Sequence, residues 1–192
     1  LQISWPDQQS YPEFVRSLDP VIAPHAAMLN ACTELFRGAG YAAFDGTVPE
    51  QTRHAALATD YAHATAPLRR LIDRFVGEIC LALAAGESVP DWTRAALPEL
   101  PGLMTAAESR AKRYERAVVD LVEVSLLHGR VGEQFTGTVV DVESKGKRGI
   151  VLVSDPAVQA RVTGPALPLG AEVNLRLTSV DWATGRAEFS RD

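Results

Sequence analysis

The spacing of apolar residues divides the chain into two parts that meet near Gly129. Before that residue, apolar side chains recur every three to four positions, which predicts amphipathic α-helices. After it, short runs rich in β-branched residues alternate apolar and polar positions, which predicts β-strands. The pattern therefore predicts an α+β protein with a helix-rich portion over residues 1–129 and a small all-β domain over residues 130–192.

Each of the three predicted helices has an end signal. The first begins near Pro24, because proline is favoured in a first helical turn, and it ends before Gly38. The second, within PLRRLIDRFVGEICLALAAG, ends near Gly86, and the third runs through TAAESRAKRYERAVVDLVEVSLLHG. There Thr105 and Glu108 have the spacing of a capping box, and Gly129 has the position of a terminator. The proline-rich stretch before Thr105 is predicted to be a loop.

The stretch YAHATAPLRRLIDRF, residues 61–75, concentrates positive charge at the start of another predicted helix. Pro67 presets the backbone for a first turn, so the helix is predicted to begin there, with Arg69 and Arg70 in that turn. Cations are unfavourable at this end of a helix dipole, so an anion is expected nearby. Free amides and two guanidinium groups together indicate a phosphate site. The alternative is an ordinary surface ion pair between Asp73 and either arginine.

Five strands are predicted after Gly129, and turn-forming residues separate them. The strands are QFTGTVVDVE, GIVLVSD, VQARVTG, AEVNLRLTSV and GRAEFS. Five short strands predict a small antiparallel barrel. An OB-fold fits this count and often binds single-stranded nucleic acid, while an SH3-like barrel or a small sandwich fits as well.

The predicted barrel offers few aromatic residues for base stacking. They are Phe135, Trp182 and Phe189, and we expect at least two of them in the core. Nucleic-acid contact is therefore expected mainly through charge. The candidate cations are Lys145, Lys147 and Arg148, with Arg161 and Arg176 as further candidates. The alternative is a solvated loop on a spacer domain.

Composition narrows the possible functions. A net charge of −5 argues against a protein that coats nucleic acid with its whole surface, so any polyanion site must be local. Cys32 and Cys80 are too few for a disulfide framework, and the histidines lack metal-ligand spacing. No apolar run approaches a membrane span, so a cytoplasmic location is expected. The opening LQISW resembles a strand and lacks a methionine, which indicates a piece of a longer chain.

The segment HAALATDYAHATAPLRRLIDR resembles the closing motif of the ribonuclease II and ribonuclease R family, the RNB-domain exoribonucleases. The matching residues are His54, Leu57, Tyr61, His63, Thr65, Pro67, Leu68, Arg69 and Arg70, with Asp73 one turn on. The helix before the motif and a five-stranded tail, similar to an OB module of the ribosomal S-one type, extend the resemblance over nearly the whole chain. It implies that residues 1–129 are the C-terminal portion of an RNB domain and that residues 130–192 are an OB-fold RNA-binding domain. Ala66 departs from the family's usual serine, and Leu71 stands where an aromatic is common.

This resemblance implies an activity and a role for each motif residue. It implies hydrolysis of single-stranded RNA from the 3′ end, release of nucleoside 5′-monophosphates, and magnesium at the scissile phosphate. Arg69 would be catalytic and would stabilise charge as the pentavalent state forms. Arg70, His63, Thr65 and Tyr61 would bind RNA or support the local structure. The complete enzyme is expected to be monomeric.

The resemblance also implies a magnesium site for which this chain has no closely spaced aspartates. The isolated residues Asp7, Asp19, Asp45 and Asp60 do not have the spacing of such a site. Magnesium ligands are therefore expected outside this segment, in an upstream portion of the same enzyme, and the segment alone is expected to be inactive. One alternative is a non-catalytic RNA-binding or scaffold protein derived from the same fold. Another is that the helices serve packing and the barrel is an assembly surface.

Overall fold

The chain folds into two compact units. The computed structural model describes residues 1–36, 40–50, 52–54 and 57–191. One unit comprises Leu1–Arg37 together with Glu115–Asp192, and the other comprises Gly38–Tyr114. This division reflects where contacts within the chain are dense. The domain boundary predicted at residue 129 stays a prediction.

Five α-helices lie in the described part of the chain. They are α1 (Tyr11–Ser17), α2 (Ala23–Cys32), α3 (Leu71–Ala85), α4 (Asp91–Ala96) and α5 (Leu100–Leu127). The first predicted helix is observed as α2, which has a proline in its first turn and continues into a 3-10 turn over Thr33–Phe36. Its predicted end at Gly38 lies outside the described residues. The strand predicted for the opening residues is wrong, since residues 1–6 have no regular secondary structure.

The start predicted for α3 is wrong by four residues. The turn that Pro67 initiates does form, because the amides of Arg69 and Arg70 donate to the carbonyl of Ala66 at 3.2 and 3.0 Å. Arg70 then adopts an extended backbone, with φ −126° and ψ 112°, and serves as the N-cap of α3. The extended conformation directs its guanidinium toward a carboxylate in the first turn of α3. Neither arginine therefore lies in that first turn.

The long helix α5 begins five residues before the predicted capping box. Pro101 occupies its second position, where a missing amide donor costs nothing. The hydroxyl of Thr105 donates to the carbonyl of Pro101 at 2.9 Å, so the predicted capping role of Thr105 is wrong. The predicted end is confirmed, because α5 stops two residues before Gly129, whose φ is +78°. The short helix α4 lies within the stretch predicted to be a loop.

The strands form one small ladder and one closed barrel. β1 (Arg53–His54) pairs antiparallel with β2 (Thr59–Asp60). The barrel contains β3 (Gln134–Val142), β4 (Arg148–Ser154), β5 (Ala157–Thr163), β6 (Glu172–Asp181) and β7 (Arg186–Arg191), in the order β3-β4-β5-β7-β6. All five predicted strands are present, and the arrangement is OB-like. The prediction of an entirely antiparallel barrel is wrong, since β5 and β7 pair in parallel.

The barrel encloses the larger hydrophobic core. Buried and exposed residues alternate along its strands, as a strand with one inward face requires. The rings of Phe135 and Phe189 meet edge to face at 5.4 Å inside the core, which confirms that two of the three aromatics serve packing. Leu127, the last residue of α5, is buried among them. Among the described residues, no helix is long and apolar enough to cross a membrane.

Candidate functional site

A buried carboxylate organises the arginine motif. Asp73, in the first turn of α3, is only 2% exposed. Its Oδ1 accepts a hydrogen bond from Arg70 Nε at 3.0 Å, and its Oδ2 accepts from Arg70 Nη2 at 2.9 Å and from the Ala66 amide at 2.6 Å. We call this arrangement of Ala66, Arg70 and Asp73 the carboxylate clamp. It ties the turn before α3 to the helix with charge-assisted hydrogen bonds.

The clamp shifts the pKa values of both ionic partners. Hydrogen bonding from Arg70 is the main reason that the pKa of Asp73 lies below its ordinary value; burial opposes the shift, and the Ala66 amide reinforces it. The same hydrogen bond raises the pKa of Arg70. Arg70 Nη2 also lies 3.4 Å from the hydroxyl of Thr65. Asp73 and Arg70 are therefore both charged at neutral pH. The ion pair between them engages one of the two motif arginines.

Arg69 is in a different environment from its neighbour. Its side chain is exposed, and within the described residues it has no hydrogen-bond or ion-pair partner. The adjacent Leu68 is 95% exposed, so the outer side of this turn is open. Arg69 is thus a guanidinium held on a rigid turn and free to meet an anion.

Four aromatic rings form a continuous row beside the clamp. The rings of Tyr61 and His63 meet edge-on at 5.1 Å, and 3.2 Å separates Tyr61 Oη from His63 Nδ1. Tyr61 also contacts His54 at 5.4 Å, and His63 contacts Tyr41 at 5.8 Å. We call these four residues the ring row. Aromatic rings of this kind can stack on bases, whereas a guanidinium can bind phosphate.

Tyr41 is a residue that sequence reasoning missed. It lies 22 positions before His63, and no local pattern connects the two residues. Burial raises the pKa of Tyr41, and the positive charge of Arg70 opposes that shift. The phenol is therefore neutral at physiological pH. His54 belongs to the matched motif, but its place in the ring row became visible only in the structure.

The residues predicted to bind RNA fall into two groups. Tyr61, His63 and Thr65 lie with both arginines in one segment of a single compact unit. The remaining predicted residues belong to the other unit, where the turn between β3 and β4 carries Lys145 and Lys147, and Arg148 opens β4; all three are exposed. RNA binding at both groups stays a prediction.

Metal binding has no visible support within the described part of the chain. No group of three or more His, Cys, Asp or Glu side chains lies close enough to hold an ion there. Asp73 has its oxygens occupied by protein donors. The described residues therefore do not fit a magnesium site.

Comparison with known proteins supports the resemblance seen in the motif. Residues 133–192 match the family model of the RNase II-type exonuclease C-terminal S1 domain. The chain is 29% identical over 165 residues to ribonuclease R of Aquifex aeolicus, covering 73% of this chain and 23% of that protein. It is also 29% identical over 129 residues to ribonuclease R 2 of Lactococcus lactis, covering 66% of this chain and 19% of that protein.

Solved structures show the same fold. The apo form of Mycoplasma genitalium RNase R aligns with 88% of this chain and 30% of that chain, with a TM-score of 0.69 at 15% identity. The same enzyme in complex with ribose-methylated single-stranded RNA aligns with 97% of this chain and 32% of that chain, with a TM-score of 0.69 at 16% identity. The resemblance to RNB-family exoribonucleases with an S1 module is confirmed. The chain spans about a quarter or less of the curated relatives' length.

Proposed function

We propose that this chain, similar to the C-terminal part of ribonuclease R, carries the arginine-bearing half of a hydrolytic 3′-to-5′ exoribonuclease site. Its substrate would be single-stranded RNA, and its products nucleoside 5′-monophosphates. One observation carries the proposal. Arg69 is exposed and has no ion-pair partner within the described residues, and it lies next to the carboxylate clamp that fixes its turn. Arginine suits this task because its planar fork matches phosphate oxygens.

In the proposed reaction, water attacks the phosphorus of the last phosphodiester. The bond from phosphorus to the upstream O3′ breaks, that oxygen takes a proton, and the terminal nucleotide leaves with its 5′-phosphate. Negative charge grows on the non-bridging oxygens, and the Arg69 guanidinium would stabilise it there. Arg70 would act through the clamp, by fixing the turn from which Arg69 projects. The ring row would hold the bases near the 3′ end.

Magnesium also belongs to the proposal. When bound, it would polarise the scissile phosphate and activate the attacking water. Because the described residues do not fit such a site, its carboxylate ligands would come from an upstream portion of the same enzyme. The short coverage of the curated relatives supports this view. The chain by itself is then expected to bind RNA without hydrolysing it.

A second candidate is a non-catalytic RNA-binding or scaffold protein derived from this fold. The absence of an acidic cluster within the described residues is the observation that favours it. The two candidates differ in a measurable property of the complete gene product. The enzyme releases mononucleotides from RNA when magnesium is added, whereas the scaffold binds RNA and leaves it intact.

The test of the proposed function is Arg69→Ala in the complete gene product. We expect kcat for mononucleotide release to fall about 10²–10³-fold, with RNA affinity changing much less, because the charge is needed most in the transition state. An RNA labelled at its 3′ end measures direction, since its label should appear as mononucleotide at once.

Two further variants serve as comparisons. Arg70→Ala should lower thermal stability and affinity together, because it breaks the carboxylate clamp. Arg113→Ala removes an exposed arginine from α5 and should leave turnover unchanged. Near-normal turnover of Arg69→Ala would remove this residue from the proposed role.

A further inference from the structure

The barrel places one aromatic side chain at its surface. The sequence from residue 133 onward contains three aromatic residues, and Phe135 and Phe189 are 6% and 0% exposed in the core. Trp182 lies in the turn between β6 and β7 and is 46% exposed. The outward positions of the barrel strands therefore cannot stack on a base through an aromatic ring, and only this turn can.

The indole of Trp182 is held from one edge. Its Nε1 donates a hydrogen bond of 2.9 Å to His128 Nδ1, and the two rings are 5.4 Å apart with an interplanar angle of 67°. An indole nitrogen is only a donor, so His128 must carry its proton on Nε2. His128 directly follows α5, so the end of that helix orients the exposed ring.

The turn that carries Trp182 is also fixed by its own hydrogen bonds. Asp181 Oδ1 accepts from the amides of Ala183 and Thr184 at 2.8 and 3.3 Å, and Oδ2 accepts from the Thr184 hydroxyl at 2.7 Å. A ring held on a rigid turn loses little conformational entropy when a ligand binds. The indole therefore offers a preorganised surface on which a base can stack.

A cavity lined by three arginines and two carboxylates opens at the same turn. Strands β5 and β7 pair only through residues 161–163 and 188–190, and beyond this pairing the amide of Gln159 donates to Glu123 Oε1 of α5 at 2.8 Å. The cavity between α5 and these strands has a volume of about 470 Å³, and Gly185 and Arg186 of the turn line it. That volume lies within the range of small-ligand sites.

The charges around the cavity are not all neutralised. Arg116 is paired with Asp120 at 2.6 Å and with Glu123 at 2.9 Å. Arg161 and Arg186 also line the cavity, and within the described residues neither forms an ion pair, although hydrogen bonds within the turn and, to a lesser extent, the charge of Arg186 lower the pKa of Asp181. Two guanidinium groups that form no ion pair, next to the turn that carries an exposed indole, suit a nucleotide unit, because a guanidinium binds phosphate and an indole stacks on a base.

We infer that this end of the barrel is a subsite for single-stranded RNA, in which a base stacks on Trp182 and the adjoining backbone phosphates contact Arg161 and Arg186. His128 is a positioning residue that fixes the indole. The subsite is separate from the Lys145 turn favoured by the sequence. The choice of RNA as ligand rests on the proposed function.

The test uses the full 192-residue chain with Trp5 and Trp92 replaced by Phe, so that Trp182 is its sole tryptophan. Titration with an oligoadenylate of about ten nucleotides should quench its fluorescence to saturation. A ribose-phosphate oligomer of equal length without bases should bind more weakly and cause no quenching. In the otherwise unchanged chain, Trp182→Ala should weaken oligoadenylate binding about 5- to 100-fold, the scale for losing one stacked base.

Variants separate stacking from positioning. Trp182→Phe keeps a ring and should retain most of the affinity, which also guards against misfolding of the alanine variant. His128→Ala should weaken binding less than Trp182→Ala and should shift the tryptophan emission, while His128→Gln restores an acceptor and should recover part of both. Arg161→Ala and Arg186→Ala should each reduce the salt dependence of binding.

The outcomes distinguish this inference from the proposed function. If RNA binds but Trp182 fluorescence stays constant and Trp182→Ala has wild-type affinity, the subsite is refuted while the proposed function stands. If the chain binds no RNA at low salt in any form, the subsite is refuted, and the proposed function is then decided by turnover of the complete gene product. A loss of turnover in Arg69→Ala tests the catalytic proposal independently of the barrel.

Discussion

Two neighbouring arginines of the motif have different tasks because of one buried carboxylate. Arg70 satisfies Asp73, which is 2% exposed and could not remain charged there without partners. Arg69, one residue earlier, forms no ion pair with a carboxylate within the described residues. The same local sequence thus supplies a structural cation and an available one, and the proposed chemistry uses the second.

The carboxylate clamp predicts acid sensitivity. The pKa of Asp73 in the folded chain lies below its ordinary value of 3.8, so its contribution to stability is present above that value and lost as pH falls through the folded pKa. We expect the melting temperature of the unit that contains α3 to fall on acidification below about pH 4. Asp73→Asn should lower the melting temperature at pH 7 and flatten this dependence.

Thermal unfolding followed by circular dichroism from neutral to acidic pH measures this effect. Glu87→Gln removes an exposed carboxylate after α3 and should leave the curve unchanged. The pKa values of Glu13 and Asp181 are also lowered, but both residues lie in the other compact unit. If the melting temperature of Asp73→Asn fell with pH as it does in the parent chain, Asp73 would not be the source of the acid sensitivity.

At the scale of elements, the barrel depends on a close approach between β3 and β4. Their pairing shifts register between Val139 and Asp141, and Gly149 lies beside this irregularity, opposite Val142. A Cβ atom added at Gly149 would overlap the carbonyl oxygen of Asp141. Glycine is needed there for space, because its φ is not positive.

This geometry predicts opposite effects for two glycine substitutions. Gly149→Ala should lower the free energy of unfolding of the barrel by about 2 kcal/mol, because the backbone cannot yield cheaply. Gly77→Ala, inside α3 with open space around it, should raise the stability of its unit by about 0.5–1 kcal/mol. Chemical denaturation of each variant measures both. If Gly149→Ala left the free energy of unfolding unchanged, β3 and β4 could move apart without loss of stability.

At the scale of the whole molecule, a net charge of −5 coexists with local groups of available cations. Arg69 lies in one compact unit, and the cations of the β3–β4 turn and of the barrel cavity lie in the other. The overall acidity excludes indiscriminate coating of RNA, so affinity must come from a few defined contacts.

A few contacts predict a modest salt dependence. Three candidate cations near the β3–β4 turn, two at the cavity and Arg69 would give a slope of log affinity against log salt of about −4, at roughly 0.7 per phosphate of a single strand. Lys145→Ala should reduce the slope by about 0.7. Arg16→Ala, on α1, should leave it unchanged. Fluorescence anisotropy at several salt concentrations measures the slope, and a flat dependence would contradict ionic binding.

Features that depend on neighbours along the chain could be predicted from the order of the residues alone. All five barrel strands were predicted to within a few residues, because alternation between core and solvent is imposed residue by residue. The end of α5 followed from Gly129, and the motif followed from the order of its residues. Helix starts were less predictable, since prolines are compatible with a loop or with the first turn of a helix, as Pro101 shows.

Contacts between distant side chains could be identified only from the three-dimensional fold. The extended backbone of Arg70, the contact of Tyr41 with His63 and the hydrogen bond from Trp182 to His128 leave no periodic trace in the sequence. The parallel pairing of β5 with β7 is of the same kind, because closure of a barrel is a property of all its strands together. Local patterns record burial, whereas these contacts depend on where folding brings separate segments.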